Sequence, residues 1–502
     1  MKLKIPLFLL LAFGILACTN LEEELREDLT GAQAIAAQDV NALLLSAYRD
    51  LRGPFQSQAT FWATQELTGD AAIPPTRGGD WDDNGKWRAL HLHNVDPDHV
   101  DQTTTFNDLL KIVFNTTNIL NFNPTPAQEA QARFLRAWAV FCVADGWNQV
   151  PYREPGENLL DAPRVLTGSE ALDLVISELN EVLNDLPDGP ATVANKDAAR
   201  VLLMKAYLNK GTFADRANPS FPAEDMNQVI SNADAIISSG NYALQDNYFD
   251  NFAPQNTQTS SELIWVADNQ GGSNSGDVHT RWLMTLHYNQ NPSGWNGFAT
   301  LSDFYDKFDS SDSRLGGEYA GLTDVTGLRT GFLVGQQFDK DGNPLQDRKE
   351  NPLAFTPEVS LIESGNNLEI TGIRVIKYPP DLANPDGNSD NDYVFFRYAD
   401  VLLMKAEALL RTGKAGEGLT IVNDLRDKRG APALGSLTLD NMLDERGFEM
   451  YWEGWRRQDL IRFGKFLDAW QEKPASNPRA LLMPIPNAAV AVNPNLKQNP
   501  GY

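Results

Sequence analysis

The chain has 502 residues, 42% hydrophobic and 22% charged, a globular profile that excludes global disorder. Its 42 Lys+Arg face 67 Asp+Glu, a formal net charge of −25, and no basic run of five or more occurs, which argues against a nucleic-acid partner. Two cysteines, Cys18 and Cys142, are too few for a disulfide framework or a cysteine-rich zinc site.

Lys2 and Lys4 precede an apolar run from Ile5 to Leu16. Twelve helical residues span about 18 Å, short of a ~30 Å hydrocarbon core. The run therefore predicts a signal peptide over 1–17 and not a membrane helix. Ile15-Leu16-Ala17-Cys18 resembles a bacterial lipobox, which implies cleavage before Cys18 and its acylation. Each buried acyl CH₂ contributes roughly 0.8 kcal/mol, so several chains anchor firmly. Residues 18–35 are expected to be a lipidated linker, and its Glu22-Glu23-Glu24 patch resembles the surface-export signal of Bacteroidetes lipoproteins.

From residue 36 a single domain is expected to run to 502. Val40, Leu43, Leu44, Ala47, Tyr48 and Leu51 recur at helical spacing, with Gly53-Pro54 as the expected stop. A second helix is predicted over 128–148, with Cys142 on its apolar stripe as an inert buried thiol. Val201-Leu202-Leu203-Met204-Lys205-Ala206 returns 200 residues later as Val401-Leu402-Leu403-Met404-Lys405-Ala406. Each copy is expected to stop at a glycine, Gly211 and Gly413, and to be followed by a further helix over 228–238 and 417–428. This helix–turn–helix pattern resembles tetratricopeptide units. Between about 247 and 392 the helical period fades and Gly, Asn, Asp, Ser and Pro accumulate. Strands are predicted over 262–267 and 370–378, and a hairpin over 338–345 with its turn at 341–343. Embedded Trp residues argue against disorder there, so the stretch reads as an insertion carrying the variable chemistry.

The C-terminal third carries the segments Phe396-Arg397-Tyr398-Ala399-Asp400, Asn423-Asp424-Leu425-Arg426 and Glu445-Arg446-Gly447-Phe448-Glu449. They continue through Tyr451-Trp452-Glu453-Gly454-Trp455-Arg456-Arg457, Pro484-Ile485-Pro486 and Asn499-Pro500-Gly501-Tyr502. Together with Arg133-Phe134-Leu135-Arg136 and Gly372-Ile373-Arg374-Val375 upstream, these resemble the SusD/RagB family of outer-membrane nutrient-binding lipoproteins. The resemblance implies a mainly α fold, with a tetratricopeptide-like helical scaffold and a long loop and short-strand insertion bearing the ligand surface. It also implies oligosaccharide capture outside the outer membrane, delivery to a SusC-type TonB-dependent transporter, and no catalysis. Read from spacing alone, Glu453 and Arg457 form an i,i+4 helix pair, and Phe448, Tyr451, Trp452 and Trp455 form a core stripe.

A sugar offers a weakly polar CH face and a rim of hydroxyls, so its binder needs flat aromatic faces beside hydrogen-bonding side chains. Two segments have that composition: 77–87, with Arg77, Asp80 and Trp81, and 282–298, with Trp282, Trp295 and Asn296. These six residues are the expected ligand contacts. Trp87 is the weaker neighbour, since Arg88-Ala89-Leu90 re-enters the core. Two or three stacking contacts predict a dissociation constant on the order of 10 µM to 1 mM.

No cofactor or metal is expected. Asp339 to Glu350 imitates a calcium loop, but Pro344 occupies the position that needs glycine. His91, His93 and His99 read as ordinary histidines. Asp82-Asp83 beside Trp81 is the best carboxylate pair for a rival reading as a helical glycoside hydrolase, although adjacent side chains diverge. A peptide-binding, RagB-like uptake protein is the other alternative.

Overall fold

Helices start where a short polar side chain meets the first unpaired backbone N–H groups. Asp39 accepts from the N–H of Asn41 (3.0 Å) at the head of α1 (Val40–Asp50), and His99 accepts from that of Gln102 at α2 (Val100–Ile119). Thr125 with Gln128 and Thr167 with Glu170 close capping boxes on α3 (Pro126–Trp147) and α4 (Gly168–Val182). The computed structural model describes residues 38–502 apart from 274. The signal peptide, Cys18, the acidic patch and the linker over 18–35 lie outside the described residues.

The helices stack on their neighbours in sequence: α1 on α2, α2 on α3, α3 on α4, α4 on α5 (Lys196–Ala214) and α5 on α6 (Ala223–Ser239). The array then passes from α6 to α7 (Tyr398–Arg411) and on to α8 (Ala415–Lys428), as in a tetratricopeptide solenoid. The two sequence copies sit on α5 and α7, which flank α6. They touch at one ion pair, Lys205 Nζ to Asp400 Oδ2 (2.6 Å), with both side chains buried. Lys405, the equivalent of Lys205, points outward to Asp234.

Two of the expected helix stops differ in the structure. Gly413 ends α7 at φ +80°, as a left-handed terminus requires. Gly211 instead lies inside α5, where a Cβ would come 2.0 Å from the Ser220 carbonyl oxygen; it is small so that the returning chain can cross the helix. Gly53 and Pro54 do not end the helical region either. They belong to a short helix, Arg52–Gln56, that follows α1 after a break at Leu51, because proline is tolerated in a first helical turn.

After the antiparallel pair β1 (Gln149–Tyr152) and β2 (Arg164–Thr167), the chain makes short strands between α6 and α7: β3 (Leu263–Ala267), β4 (Thr330–Leu333), β5 (Arg374–Ile376) and β6 (Tyr393–Arg397). β3 and β6 pair antiparallel, Leu263 opposite Arg397 and Ala267 opposite Tyr393, so the insertion is tied shut at its base. β4 pairs β5, Phe332 opposite Val375. Only the middle of the 370–378 run is a strand. The hairpin forms: Asp339 donates its N–H to Asn343 (2.9 Å), and its carboxylate accepts from the N–H groups of Asp341 and Asn343 across Gly342 at φ +79°.

Cys142 is buried in α3, where burial raises its thiol well above the ordinary value. Phe448, Tyr451, Trp452 and Trp455 are all core. The expected Glu453–Arg457 helix pair is absent, because the chain leaves the helix between α9 (Leu439–Met450) and α10 (Arg456–Arg462). Glu453 instead pairs with Arg397 and Lys377, each at 2.8 Å, and Arg457 donates to the Leu481 carbonyl (2.8 Å). Glu453 belongs to a fully buried network. Glu449 takes Arg397 (2.7 Å), Arg429 (2.8 Å) and Arg314 (3.1 Å), while Glu262 takes Arg429 (2.8 Å) and Arg397 (3.2 Å). Arg314 and Lys377 come from the insertion and Arg429 and Glu449 from the C-terminal helices, so the network clamps the two together. Residues Asp39–Tyr502 form one compact unit.

Candidate functional site

Three stretches of irregular chain are brought edge to edge by isolated backbone bridges, Ile73 with Ala299 and Thr300 with Ile373. A further bond runs from the Thr76 N–H to the Leu361 carbonyl (3.0 Å). This lays the 77–81 turn against the 295–298 turn. Both turns need backbone that ordinary residues avoid: Arg77 is at φ +46°, Gly78 at +65° and Asn296 at +54°.

Trp81 and Trp295 meet at this seam. Their ring centroids are 6.4 Å apart with planes inclined at 38°, and the Trp81 indole N–H donates to the Trp295 carbonyl (2.9 Å). Phe298 packs edge-on behind Trp81 at 4.9 Å. The Trp81 ring lies so close over Gly297 that a Cβ there would come within 2.4 Å of it. Trp81 is half-buried and Trp295 is 38% exposed, so Trp295 supplies the open face. Trp87 stands behind them in the core with its N–H on Asp83 (2.6 Å).

Beside the pair is a cavity of ≈ 180 Å³ lined by Arg77, Asp80, Tyr288, Asn296, Arg348 and Glu369, among others. Arg77 is buried. Its Nε donates to the Gly297 carbonyl (2.9 Å) and its Nη1 to Thr371 Oγ1 (2.6 Å) and the Thr371 carbonyl (2.9 Å), while Nη2 has no protein partner. Burial lowers this guanidinium to about 10, which leaves it charged at neutral pH. Asn296 is buried and accepts from Arg374 Nη2 (2.8 Å). The Arg348 guanidinium lies 4.0 Å over the Tyr288 ring and is held by Glu369 at 2.7 Å; Glu369 also takes His287 (2.8 Å).

Five of the six sequence-derived residues thus have a place here: Arg77, Asp80 and Asn296 line the cavity, and Trp81 backs the exposed Trp295. Trp282 does not. It is fully buried with its N–H on the Pro385 carbonyl (3.0 Å), because Trp282 lies on a short helix, Thr280–Leu283, that points into the core. It has no free face to offer. Sequence reasoning missed Arg348 and Glu369, which reach the cavity from two segments about fifty and about seventy residues beyond Trp295. Tyr288 belongs to the aromatic composition of the 282–298 segment, and the structure places it in the lining. Asp82 and Asp83 are spent on Arg88 (2.6 Å) and on Trp87. His93 bonds the Thr68 carbonyl (2.7 Å) and His99 the Lys86 carbonyl (2.9 Å).

The sequence model of the SusD family matches residues 233–477. Over that stretch the chain is similar to the SusD family. Among its relatives is the starch-binding protein SusD of Bacteroides thetaiotaomicron, 26% identical over 427 residues that cover 75% of this chain and 73% of the relative. The fold matches a solved SusD-superfamily protein of Parabacteroides distasonis with TM-score 0.72 at 18% identity, over 95% of this chain and 100% of that one. It also matches surface glycan-binding protein A of Bacteroides thetaiotaomicron in complex with laminarihexaose, with TM-score 0.68 at 18% identity, over 92% and 98% of the two chains. The mainly helical architecture with small antiparallel sheets is a SusD-like fold.

Proposed function

We propose that this protein captures an oligosaccharide at the cell surface and passes it, without turnover, to a SusC-type TonB-dependent transporter of the outer membrane. The observation that carries this reading is the exposed Trp295 face, backed by Trp81 and set beside a polar cavity. An indole face takes the CH side of a pyranose while the cavity's charged and amide groups take its hydroxyls. The starch- and laminarihexaose-binding relatives support the same ligand class. Cys18 is the proposed acylation site, holding the protein on the outer membrane facing the exterior. The spent carboxylates of Asp82 and Asp83 remove the best candidate pair for hydrolysis.

Isothermal titration against a panel of oligosaccharides tests the proposal. The expected dissociation constant is on the order of 10 µM to 1 mM. Trp295→Ala should weaken binding by about tenfold and Trp81→Ala by a similar factor, since an aromatic contact contributes roughly 0.5–1.5 kcal/mol beyond the area it buries. Release of new reducing ends, or unchanged affinity in both variants, would refute it. Co-purification with a TonB-dependent transporter, and loss of radiolabelled palmitate incorporation in Cys18→Ala, test the partner and the anchor.

A further inference from the structure

The cavity beside Trp295 is lined by equal numbers of basic residues (Arg77, Arg348, Lys349) and acidic ones (Asp80, Asp347, Glu369), in a chain that carries 67 acidic residues against 42 basic. Equal numbers do not mean equal availability. The Asp347 carboxylate is consumed by its own turn, accepting from the N–H groups of Lys349 (2.8 Å) and Asn351 (2.9 Å) and from the Asn351 amide. Glu369 is consumed by Arg348 and by His287. Behind the wall, Glu363 takes the Thr371 hydroxyl and lies 3.4 Å from Arg77. Of the carboxylates, Asp80 alone accepts no hydrogen bond from a described residue.

The donors are spent differently. Arg77 keeps Nη2 without a partner among the described residues, but that nitrogen is buried. Arg348 uses Nε on Glu369, leaving both Nη nitrogens unbonded, while its stacking on Tyr288 fixes the plane of the guanidinium. Lys349 is exposed, and its amino group has no ion pair among the described residues. The open cationic donors, on Arg348 and Lys349, therefore outnumber the open anionic acceptor, Asp80, by two residues to one. A cavity in that state is completed best by a ligand group that only accepts and carries negative charge, and the free Nη1/Nη2 edge of Arg348 fits two oxygens of a carboxylate or a sulfate.

We infer that the glycan held on Trp295 carries an anionic substituent, a uronate carboxylate or a sulfate ester, seated between Arg348 and Lys349 with the buried Arg77 behind them. This deepens the glycan reading and rests on it. Asp80 sits at the rim as the one group that opposes such a ligand and is left to accept a neighbouring hydroxyl.

Matched pairs of oligosaccharides test the inference in titrations of the full chain: hexagalacturonate against its full methyl ester, and a sulfated galactan hexamer against its desulfated form. Each pair keeps the stacking face and removes only the charge. One charged form should bind at least tenfold more tightly than its neutral counterpart, and which pair shows the preference separates uronate from sulfate. The charged-to-neutral ratio should fall about tenfold in Arg348→Met and severalfold in Lys349→Ala, an exposed position that tolerates truncation. It should rise in Asp80→Asn. Neutral forms that bind as tightly as charged ones, with binding still lost in Trp295→Ala, overturn the anionic site and leave the glycan reading standing. Absence of binding by all four ligands overturns both.

Discussion

At the scale of single residues, the tryptophans show how little a side chain's identity says about its task. Trp282 and Trp295 lie thirteen positions apart in the same Gly- and Asn-rich stretch, yet one is a core residue and the other a surface face. Trp282→Ala should lower stability by about 3–5 kcal/mol, as for other buried large-to-small changes, seen as a reduced melting temperature. Trp295→Ala should leave the melting temperature nearly unchanged and weaken glycan binding. Glu66 is a second case. It is fully buried, accepts from the N–H groups of Gly454 (2.7 Å) and Trp455 (3.2 Å), and leaves Oε2 without a partner. Burial raises its carboxyl to about 7 from an ordinary 4.5, against the pull of those bonds and of Arg456. The folded protein thus keeps a proton that the unfolded chain releases near 4.5. Stability is therefore lost as pH rises from 4.5 to about 7 and stays lower above it. Glu66→Gln removes this titration, and should be more stable than the native chain at pH 8, by on the order of 1–3 kcal/mol, with little difference at pH 4.5. Chemical denaturation at the two pH values checks it.

At the scale of elements, the repeated Val-Leu-Leu-Met-Lys-Ala segment correctly marks two helices of one array, but identical sequence does not carry identical detail. Lys205 is buried against Asp400, just before the other copy on α7, whereas Lys405 reaches a half-exposed Asp234. The glycines that follow differ in the same way. Gly413→Ala places a side chain at φ +80° in open space, a cost of about 1 kcal/mol. Gly211→Ala drives a Cβ into the Ser220 carbonyl at 2.0 Å and forces the chain crossing to move. It should cost more than Gly413→Ala, by about 1–3 kcal/mol. Urea unfolding of the two variants tests that order; the reverse order would mean that Gly211 is merely a helix terminus.

At the scale of the whole molecule, the insertion is held to the helical array by buried charge. Burial would raise the carboxyls of Asp400 and Glu407, but Lys205 and Arg446 reverse it for the first, and Arg462 and Arg411 for the second, so each falls to about 2. Glu449 is held well below the usual carboxylate range in the same way by Arg429, Arg397 and Arg314. These are depressed acids, so their contribution to stability is present above the unfolded values of 3.8 to 4.5 and is lost as pH falls through the folded values. The melting temperature should fall steeply between pH 4.5 and 2. Glu449→Gln strands three guanidinium groups with one acceptor fewer. It should cost about 3–5 kcal/mol at pH 7, with the acid-induced fall correspondingly shallower, both measurable by calorimetry.

What the chain's composition and periodicity determined is the part governed by local rules. The helical array, the shift to loops and short strands near residue 247, the 338–345 hairpin and the core stripe around Tyr451 follow from side-chain spacing and turn chemistry, which neighbouring residues carry among themselves. The same local reading selected Arg77, Asp80 and Asn296, because a Gly-rich turn with charged and amide groups is a site that shape alone can suggest. Only the tertiary structure decided that Trp81 meets Trp295, that Trp282 turns inward, that Gly211 is a crossing point, and that Tyr288, Arg348 and Glu369 complete the cavity. Each of these depends on contacts between residues tens to hundreds of positions apart. Burial and unpaired polar atoms are properties of the assembled surface, and they exist only once the distant segments have packed.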